Sequence, residues 1–353
     1  MGIDDLLQET TEWLKGIGPE AEIAISSRVR LARNIRGNKF CKRATPEIRR
    51  QILEKVIGAA AGCQTLRGSL VVELEKCPEL DRQLLLERHL ISRDLSRETQ
   101  GAVIVGPGEV ISLMINEEDH IRIQVLQSGL QLLKCWKLVD RVDSQLEKVL
   151  DYEFSPELGY LTACPTNIGT GIRASVMLHL PALVINRQIN QVLQGVHKLG
   201  LAIRGTWGEG TQASGNMFQI SNQVTLGKSE ETIIADLDRI IHKIIAYERQ
   251  ARTLLLQSRS PRLEDQVYRA LGILKNARLI TSEETLELLS SLRVGVNLGI
   301  LKNITRAAVN ELFIHTRPAH LQKMAGKLLS SEERDLLRAR LIREKLAAEN
   351  PGP

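Results

Sequence analysis

The chain has 353 residues, 43% hydrophobic and 25% charged, with a formal net charge of +5. No apolar run approaches the roughly 18–20 residues that span a bilayer, and Met1-Gly2-Ile3-Asp4-Asp5 is acidic where a secretion signal is basic, so membrane insertion and secretion are not expected. The mild positive charge suits any anionic ligand without indicating nucleic acid, and 3% aromatic content argues against a base-stacking reader of single strands. The five cysteines, Cys41, Cys63, Cys77, Cys135 and Cys164, are odd in number and form no CxxC pair. That speaks against a zinc ribbon or a disulfide framework and fits a reducing, cytoplasmic setting.

At about 150 residues per domain the length suggests two domains. In chain order, residues 21–31 read as a strand running into a basic segment. Apolar runs at 69–74, 102–105, 109–115 and 121–127 read as further strands, set apart by Gly and Pro. Residues 129–150 carry Leu, Val and Trp136 at helical spacing and predict a long amphipathic helix. Strands follow near 158–163, 174–180, 200–206 and 217–222, with helices at 188–198 and 229–257. Strand runs without strict βαβ alternation predict an α+β domain, a largely antiparallel sheet flanked by helices, over residues 1–257. Residues 258–353 predict an all-helical C-terminal domain. Thr281-Ser282-Glu283-Glu284 and Ser330-Ser331-Glu332-Glu333 look like capping boxes there, and Pro318 suits a first helical position.

Four segments carry candidate chemistry. In Ser26-Ser27-Arg28-Val29-Arg30-Leu31-Ala32-Arg33, strand alternation puts Arg28 and Arg30 on one face. Two guanidinium groups there repel unless an anion lies between them, and the planar fork suits phosphate. On that segment alone a solvated basic edge strand is the simpler reading. Asn116-Glu117-Glu118-Asp119-His120-Ile121-Arg122 is either an exposed turn or a carboxylate site for a cationic nitrogen, with Arg122 facing phosphate. Cys164-Pro165-Thr166-Asn167-Ile168-Gly169-Thr170-Gly171 leads into Arg173-Ala174-Ser175 and lacks the Lys of a Walker A loop, but could bring backbone N–H groups to an anion. Cys164 is either inert core or, among arginines, a reactive thiolate. Arg204-Gly205-Thr206-Trp207-Gly208-Glu209-Gly210 sets a cation and a carboxylate across a glycine turn, a weak signal alone.

Together they say more. Arg28, Arg30, Arg122, Arg173 and Arg204 all fall in or beside predicted strand ends, with Glu118 and Glu209 in two of the same segments. Converging arginines suit a nucleotide polyphosphate, and carboxylates beside them suit a cationic acceptor. His89 is a surface helix residue by default or a nucleotide contact. Arg93-Asp94-Leu95 lacks the His, Asn and Asp-Phe-Gly partners of an ordinary protein-kinase loop.

These four motifs, in this order from about residue 21 to 255, resemble the guanidino (phosphagen) kinases. Within that superfamily the chain is most similar to the bacterial protein-arginine kinases. About 25 residues precede the Ser-Arg-Val-Arg segment, too few for the small substrate domain of metabolite kinases. Arg334-Asp335-Leu336-Leu337-Arg338-Ala339 looks like a phosphoarginine-pocket motif, with Arg334 and Arg338 on one helix face. The resemblance implies ATP and Mg²⁺ as cofactors and Glu118, Glu209 and Cys164 as catalytic residues. It implies nucleotide contacts at Ser27, Arg28, Val29, Arg30, His89, Arg122, Arg173, Ala174, Ser175, Val176, Met177, Arg204, Gly205, Thr206, Trp207 and Gly208. It implies a regulatory pocket of Arg334, Asp335, Arg338 and Ala339 and no protein-held metal. Trp207 and Met177 depart from the Arg and His of metabolite kinases at those places. The expected partners are proteins with exposed arginines, a heat-shock repressor among them, a Clp-type unfoldase or protease, a small zinc-binding activator, and a second copy of the chain. No membrane and no direct nucleic-acid contact is expected. The competing readings are a kinase of free arginine and a basic binding module without turnover.

Overall fold

The structure is a computed structural model that describes residues 2–7, 11–205, 214–257 and 261–349. Ten strands are described: β1 (Ala24–Arg33), β2 (Leu70–Glu73), β3 (Ala102–Val105), β4 (Ile111–Ile115), β5 (Ile121–Ser128), β6 (Phe154–Ser155), β7 (Gly159–Tyr160), β8 (Ile172–His179), β9 (Leu201–Gly205) and β10 (Met217–Asn222). Eight form one sheet in the order β2-β3-β4-β5-β1-β8-β10-β9, and every neighbouring pair is antiparallel. The fold is thus the expected α+β arrangement. The strand expected at 158–163 shrinks to Gly159–Tyr160, paired with β6. Gly159 has φ of +74°, and a Cβ there would lie 2.6 Å from the Gly169 carbonyl oxygen, so the chain turns instead of extending.

The helices before the last strand are α1 (Pro46–Ala61), α2 (Glu79–Glu87), α3 (Arg93–Arg97), α4 (Leu132–Glu147), α5 (Pro181–Ile185) and α6 (Ile189–Lys198). After it come α7 (Glu230–Gln257), α8 (Pro261–Asn276), α9 (Ser282–Asn297), α10 (Arg306–His315), α11 (Pro318–Ala325) and α12 (Ser331–Glu349). Helices α1 to α3 have no counterpart among the expected elements. Thr281 caps α9 by accepting from Glu284 N–H. Ser330 and Glu333 make the full reciprocal capping box ahead of α12, with Ser330 N–H donating to the Glu333 carboxylate at 2.7 Å.

The sheet has two unlike faces because side chains alternate. Val29, Leu31, Ile123, Val125, Ala174, Val176 and Ile220 are fully buried on the face covered by α4 and α7. The apolar cluster they belong to continues without a break into Leu263, Val267, Leu289, Leu292, Leu312 and Ile342 of α8, α9, α10 and α12. A polar seam ties the same regions. Arg293 of α9 donates to the carbonyls of Ala21 and Glu22, to Asn310 Oδ1 and to His179 Nδ1 at 3.0 Å. With Nδ1 accepting, His179 carries its proton on Nε2 and donates to Ser290 at 2.9 Å. The boundary expected between residues 257 and 258 adjoins residues 258–260, which lie outside the described residues.

Burial holds five of the seven histidines below their ordinary pKa: His120, His179 and His320, with His89 at about 3 and His315 at about 4. They stay neutral in the folded chain but take up protons once unfolded, below their ordinary value near 6.5. Their contribution to stability is complete above that value and is lost as pH falls. Carboxyls held above their ordinary range, Glu118 and Glu248 among them, act in the opposite sense nearer the acid end. The melting temperature is therefore expected to fall from pH 7.5 to pH 5.5, with protons taken up on unfolding. A melting temperature that holds or rises over that window contradicts this account.

Candidate active site

The register of the central strands builds the site. Arg28 lies opposite Leu126 on β5 and Ser175 on β8, Arg30 opposite Gln124 and Arg173, and Ala32 opposite Arg122. Gln219 of β10 lies opposite Met177 and Arg204. Residues directly opposite one another share a face, so Arg28, Arg30, Arg122, Arg173 and Arg204 all project from the face away from α4 and α7. Arg122, Arg173 and Arg204 stand next to the ends of β5, β8 and β9, as the sequence suggested, whereas Arg28 and Arg30 rise from within β1. All five line one cleft of about 630 Å³.

Burial lowers the Arg28 guanidinium to about 10, helped by Arg173, Arg204 and Arg122. Arg30 is pushed down further, by burial first and then by Arg28, Arg122 and Arg173. Both remain cations at neutral pH. A desolvated group of like charges is stabilised by any polyanion that enters, and Arg supplies the forked donors that phosphate oxygens accept.

Charge and polarity change along this face. Glu117 and Glu118 lie at its acidic end, in the turn between β4 and β5. Asn116 has φ of +58° and its amide donates to the carbonyls of Arg49 and Gln100, which pins the turn. Asp119 is fully buried and accepts from Asn34 Nδ2 and Ala163 N–H, each at 2.7 Å. His120 accepts from Ile35 N–H on Nδ1 and donates from Nε2 to Lys39 O, both at 3.0 Å. Six hydrogen bonds at three neighbouring residues therefore fix where Glu117 and Glu118 point. Arg122 pairs with buried Glu117 at 2.6 Å and reaches Glu118 at 3.2 Å. Burial raises the Glu118 carboxyl above its ordinary value, against the opposing pull of Arg122. Glu118 keeps about 29% of its side chain exposed and lines the cleft, so it can meet a ligand.

Cys164 also lines the cleft, half-buried, with its Sγ 3.0 Å from Thr166 Oγ1. The loop that follows is held by Arg33, whose Nε and Nη2 both donate to Asp143 Oδ2 and whose Nη1 donates to Thr170 O at 2.9 Å. The Arg33 guanidinium stacks 3.5 Å over the Tyr160 ring. Gly171, φ +65°, passes so close to Ala32 O that a Cβ would be 2.6 Å away.

Not every implied contact faces this cleft. Val29, Ala174 and Val176 point into the core behind the sheet. Ser27 donates to Gly129 O and accepts from Gln131 N–H, which starts α4. Ala174 N–H donates to Asn222 Oδ1 at 2.8 Å. Ser175, Met177 and His89 line the cleft, and Gly205 ends β9 beside it. His89 is not on a helix surface: it follows α2 with φ of +61°, and Gln124 Nε2 donates to its carbonyl at 2.7 Å. Thr206, Trp207, Gly208 and Glu209 lie outside the described residues. Arg338 and Ala339, on α12, are 1% exposed. The Arg338 guanidinium donates to Thr316 O and Ile280 O at 2.8 Å and pairs with Asp335. Arg334 turns aside and donates to Leu329 O.

Glu117, Gln124 and Gln219 are part of the cleft, or hold it, and were not singled out from sequence. Gln124 sits two residues from Arg122 on β5, a signal available from alternation, whereas β10 carries no arginine to mark Gln219. Among the described residues no group of three His, Cys, Asp or Glu side chains could hold a metal ion, and no helix is long and apolar enough to cross a membrane.

Residues 51–251 match the ATP:guanido phosphotransferase C-terminal catalytic domain, and the chain belongs to that family. In the solved structure of lombricine kinase, 69% of each chain superposes with a TM-score of 0.59 at 27% identity. A duplicated taurocyamine kinase from Schistosoma mansoni superposes over 78% of this chain and 40% of its own, with a TM-score of 0.58 at 25% identity. Within the family the chain is a protein-arginine kinase relative throughout. It is 48% identical to the protein-arginine kinase of Bacillus cereus (strain G9842) over 99% of both chains. It is 51% identical to that of Desulforamulus reducens over 95% of both. Residues 260–352 match the protein-arginine kinase McsB C-terminal domain.

Proposed function

We propose that this chain transfers the γ-phosphoryl group of ATP to arginine side chains of proteins. The observation that supports it most is the single sheet face on which five arginines lead to Glu118, in a chain alike end to end with protein-arginine kinases. The arginines would hold the phosphate oxygens and offset the charge that spreads over them in transfer. Guanidinium is a poor nucleophile while fully protonated. As its nitrogen bonds to the γ-phosphorus, the bond from phosphorus to the ADP oxygen breaks and the nitrogen's proton passes to the Glu118 carboxylate. A carboxyl held above its ordinary pKa is the better base for that step. Glu209 would hold the remaining nitrogens in plane. Mg²⁺, with no protein cage among the described residues, would sit on the phosphates and water and supply further charge neutralisation.

The test offers an unfolded arginine-rich protein and free L-arginine side by side with labelled ATP and Mg²⁺. Products are located by mass spectrometry without acid, because the P–N bond is acid-labile. Label on protein arginine alone is expected. Glu118→Gln is expected to lose about 10²–10⁴-fold in turnover while still binding ATP, and with it the acid limb of the pH profile. Label on free arginine alone, or near-normal turnover in Glu118→Gln, contradicts the reading.

The motif on α12 supports a phosphoarginine-responsive regulatory site in Arg334, Asp335, Arg338 and Ala339. Arg338 already satisfies two buried carbonyls, so an anion there would compete with those bonds. Removing the side chain strands both carbonyls, at about 1–3 kcal/mol for each buried acceptor left without a partner. Arg334, exposed along part of its length, is the cleaner probe: Arg334→Ala is expected to abolish stimulation by phosphoarginine at unchanged melting temperature. Undiminished stimulation in that variant argues against the site. By the same family resemblance the enzyme would act in the cytoplasm, in a stress response, on proteins that include a heat-shock repressor. Phosphoarginine would mark them for a Clp-type protease, with a small zinc-binding activator and self-association as further elements.

A further inference from the structure

The polarity of the cleft runs along the strands, and the C-terminal helices build its apolar end. On β5 the cleft face reads Arg122, Gln124, Leu126; on β8 it reads Arg173, Ser175, Met177; on β10 it reads Ser221, Gln219, Met217. All three strands pass from polar or cationic to apolar in the same direction, over about four residues, or roughly 13 Å at 3.3 Å per residue. That is the reach of a nucleotide from its γ-phosphate to its base. The apolar end is closed by Trp13 and Leu14 from the N-terminal segment and by Phe313 and Ile314 from α10. Trp13 packs against His89 with ring centroids 5.3 Å apart.

Arg28 lies level with Leu126 and Arg204 level with Met177, and the C-terminal region adds a further cation at this end. Arg317 lines the same cleft as His89, Trp13 and Phe313. It immediately precedes Pro318, so its backbone is extended (φ −74°, ψ 152°) and α11 starts directly after it. Both sides of that short segment are fixed. Glu87 of α2 accepts from Ala319 N–H at 2.9 Å, His320 N–H and His320 Nδ1. Arg88 joins Glu109 to His320 Nε2. Lys323 of α11 pairs with Asp81 at 2.6 Å. On the other side Arg338 holds Thr316 O, the carbonyl just before Arg317. Burial and the neighbouring Arg338 and Arg93 lower the Arg317 guanidinium to about 10, against the pull of Glu87, so it remains charged. Arg28 and Arg317 together are also what holds His89 neutral beyond its burial. His89, Arg28 and Arg317 therefore line the same cleft, close enough for both cations to act on the imidazole.

We infer that Arg317 contacts the nucleoside part of ATP, its planar guanidinium lying against the base at the apolar end of the cleft, so that the C-terminal region completes the nucleotide site. The inference rests on the kinase reading above. A guanidinium plane against an aromatic ring is a favourable contact where water is excluded. It also gives Arg a role that Lys fills poorly.

The test measures binding of ATP and of inorganic tripolyphosphate to the full chain and to Arg317→Ala and Arg317→Lys, with melting temperatures alongside. Arg317→Ala is expected to weaken ATP about tenfold and to leave tripolyphosphate within about twofold, since tripolyphosphate lacks the base. Arg317→Lys is expected to fall between, and KM for the protein substrate to stay unchanged. Equal losses for ATP and tripolyphosphate would make Arg317 a sixth phosphate cation and overturn the assignment. So would unchanged ATP affinity in either variant, or a loss of affinity that tracks only a fall in melting temperature. If the unaltered chain binds no ATP, the kinase reading itself fails, a result distinct from all of these.

Discussion

Like charge held in one place is the constraint on which this structure turns. Five guanidinium groups rise from one face of four of the five neighbouring strands β5, β1, β8, β10 and β9. Two unit charges about 6 Å apart repel by roughly 3 kcal/mol at an effective dielectric of 20. The fold must supply that energy elsewhere. The opposite face does so: Val29, Leu31, Ile123, Val125, Ala174 and Val176 are fully buried under α4 and α7, and they alternate with the arginines along the same strands. The pleat that makes the core also makes the cleft. Glu117 gives Arg122 a buried counter-charge, whereas burial and mutual repulsion depress Arg28 and Arg30. A polyanion between these guanidinium groups relieves that repulsion.

The acceptor end is built by different means. A turn cannot use strand alternation to aim its side chains, so the β4–β5 turn relies on buried hydrogen bonds. Asn116, Asp119 and His120 are each fully buried and each makes two of these hydrogen bonds, and they leave Glu118 at the cleft wall. Asp119 also holds Ala163 N–H, next to Cys164. The acidic turn and the cysteine loop are thus fixed to each other. The C-terminal helices are part of the same economy of contacts. Arg293 binds the segment entering β1, and α11 is capped by Glu87 from α2. A change in the C-terminal region has short, hydrogen-bonded routes to the cleft.

Much of this was legible in the sequence. Arg28 and Arg30 could be placed on one face from a period of two alone, and the order of the four motifs carried the family. Three things were not legible. Alternation within a strand does not say which strands are neighbours, so the sharing of one face by Arg173, Arg204 and Arg122 needed the register. Adjacent acids in a turn look equivalent, yet Glu117 is buried against Arg122 and Glu118 is half-exposed. A helical spacing of four put Arg334 and Arg338 on one face, but Arg338 turns inward because Thr316 and Ile280 offer it carbonyls from other elements. Arg317 had no local pattern at all; its place in the cleft comes from the packing of α11 on α2. His89, taken by default for a helix surface residue, sits in a left-handed turn beyond the end of α2 because Gln124 holds its carbonyl.

The most direct test of the central claim is a crystal structure of the chain with Mg²⁺ and a non-hydrolysable ATP analogue. The triphosphate is expected across the one sheet face, with Arg28, Arg30, Arg122, Arg173 and Arg204 all within hydrogen-bonding distance of phosphate oxygens and the γ-phosphate nearest Glu118. A nucleotide bound elsewhere, or one whose γ-phosphate lies at the Met177–Met217 end of the face, would contradict the account.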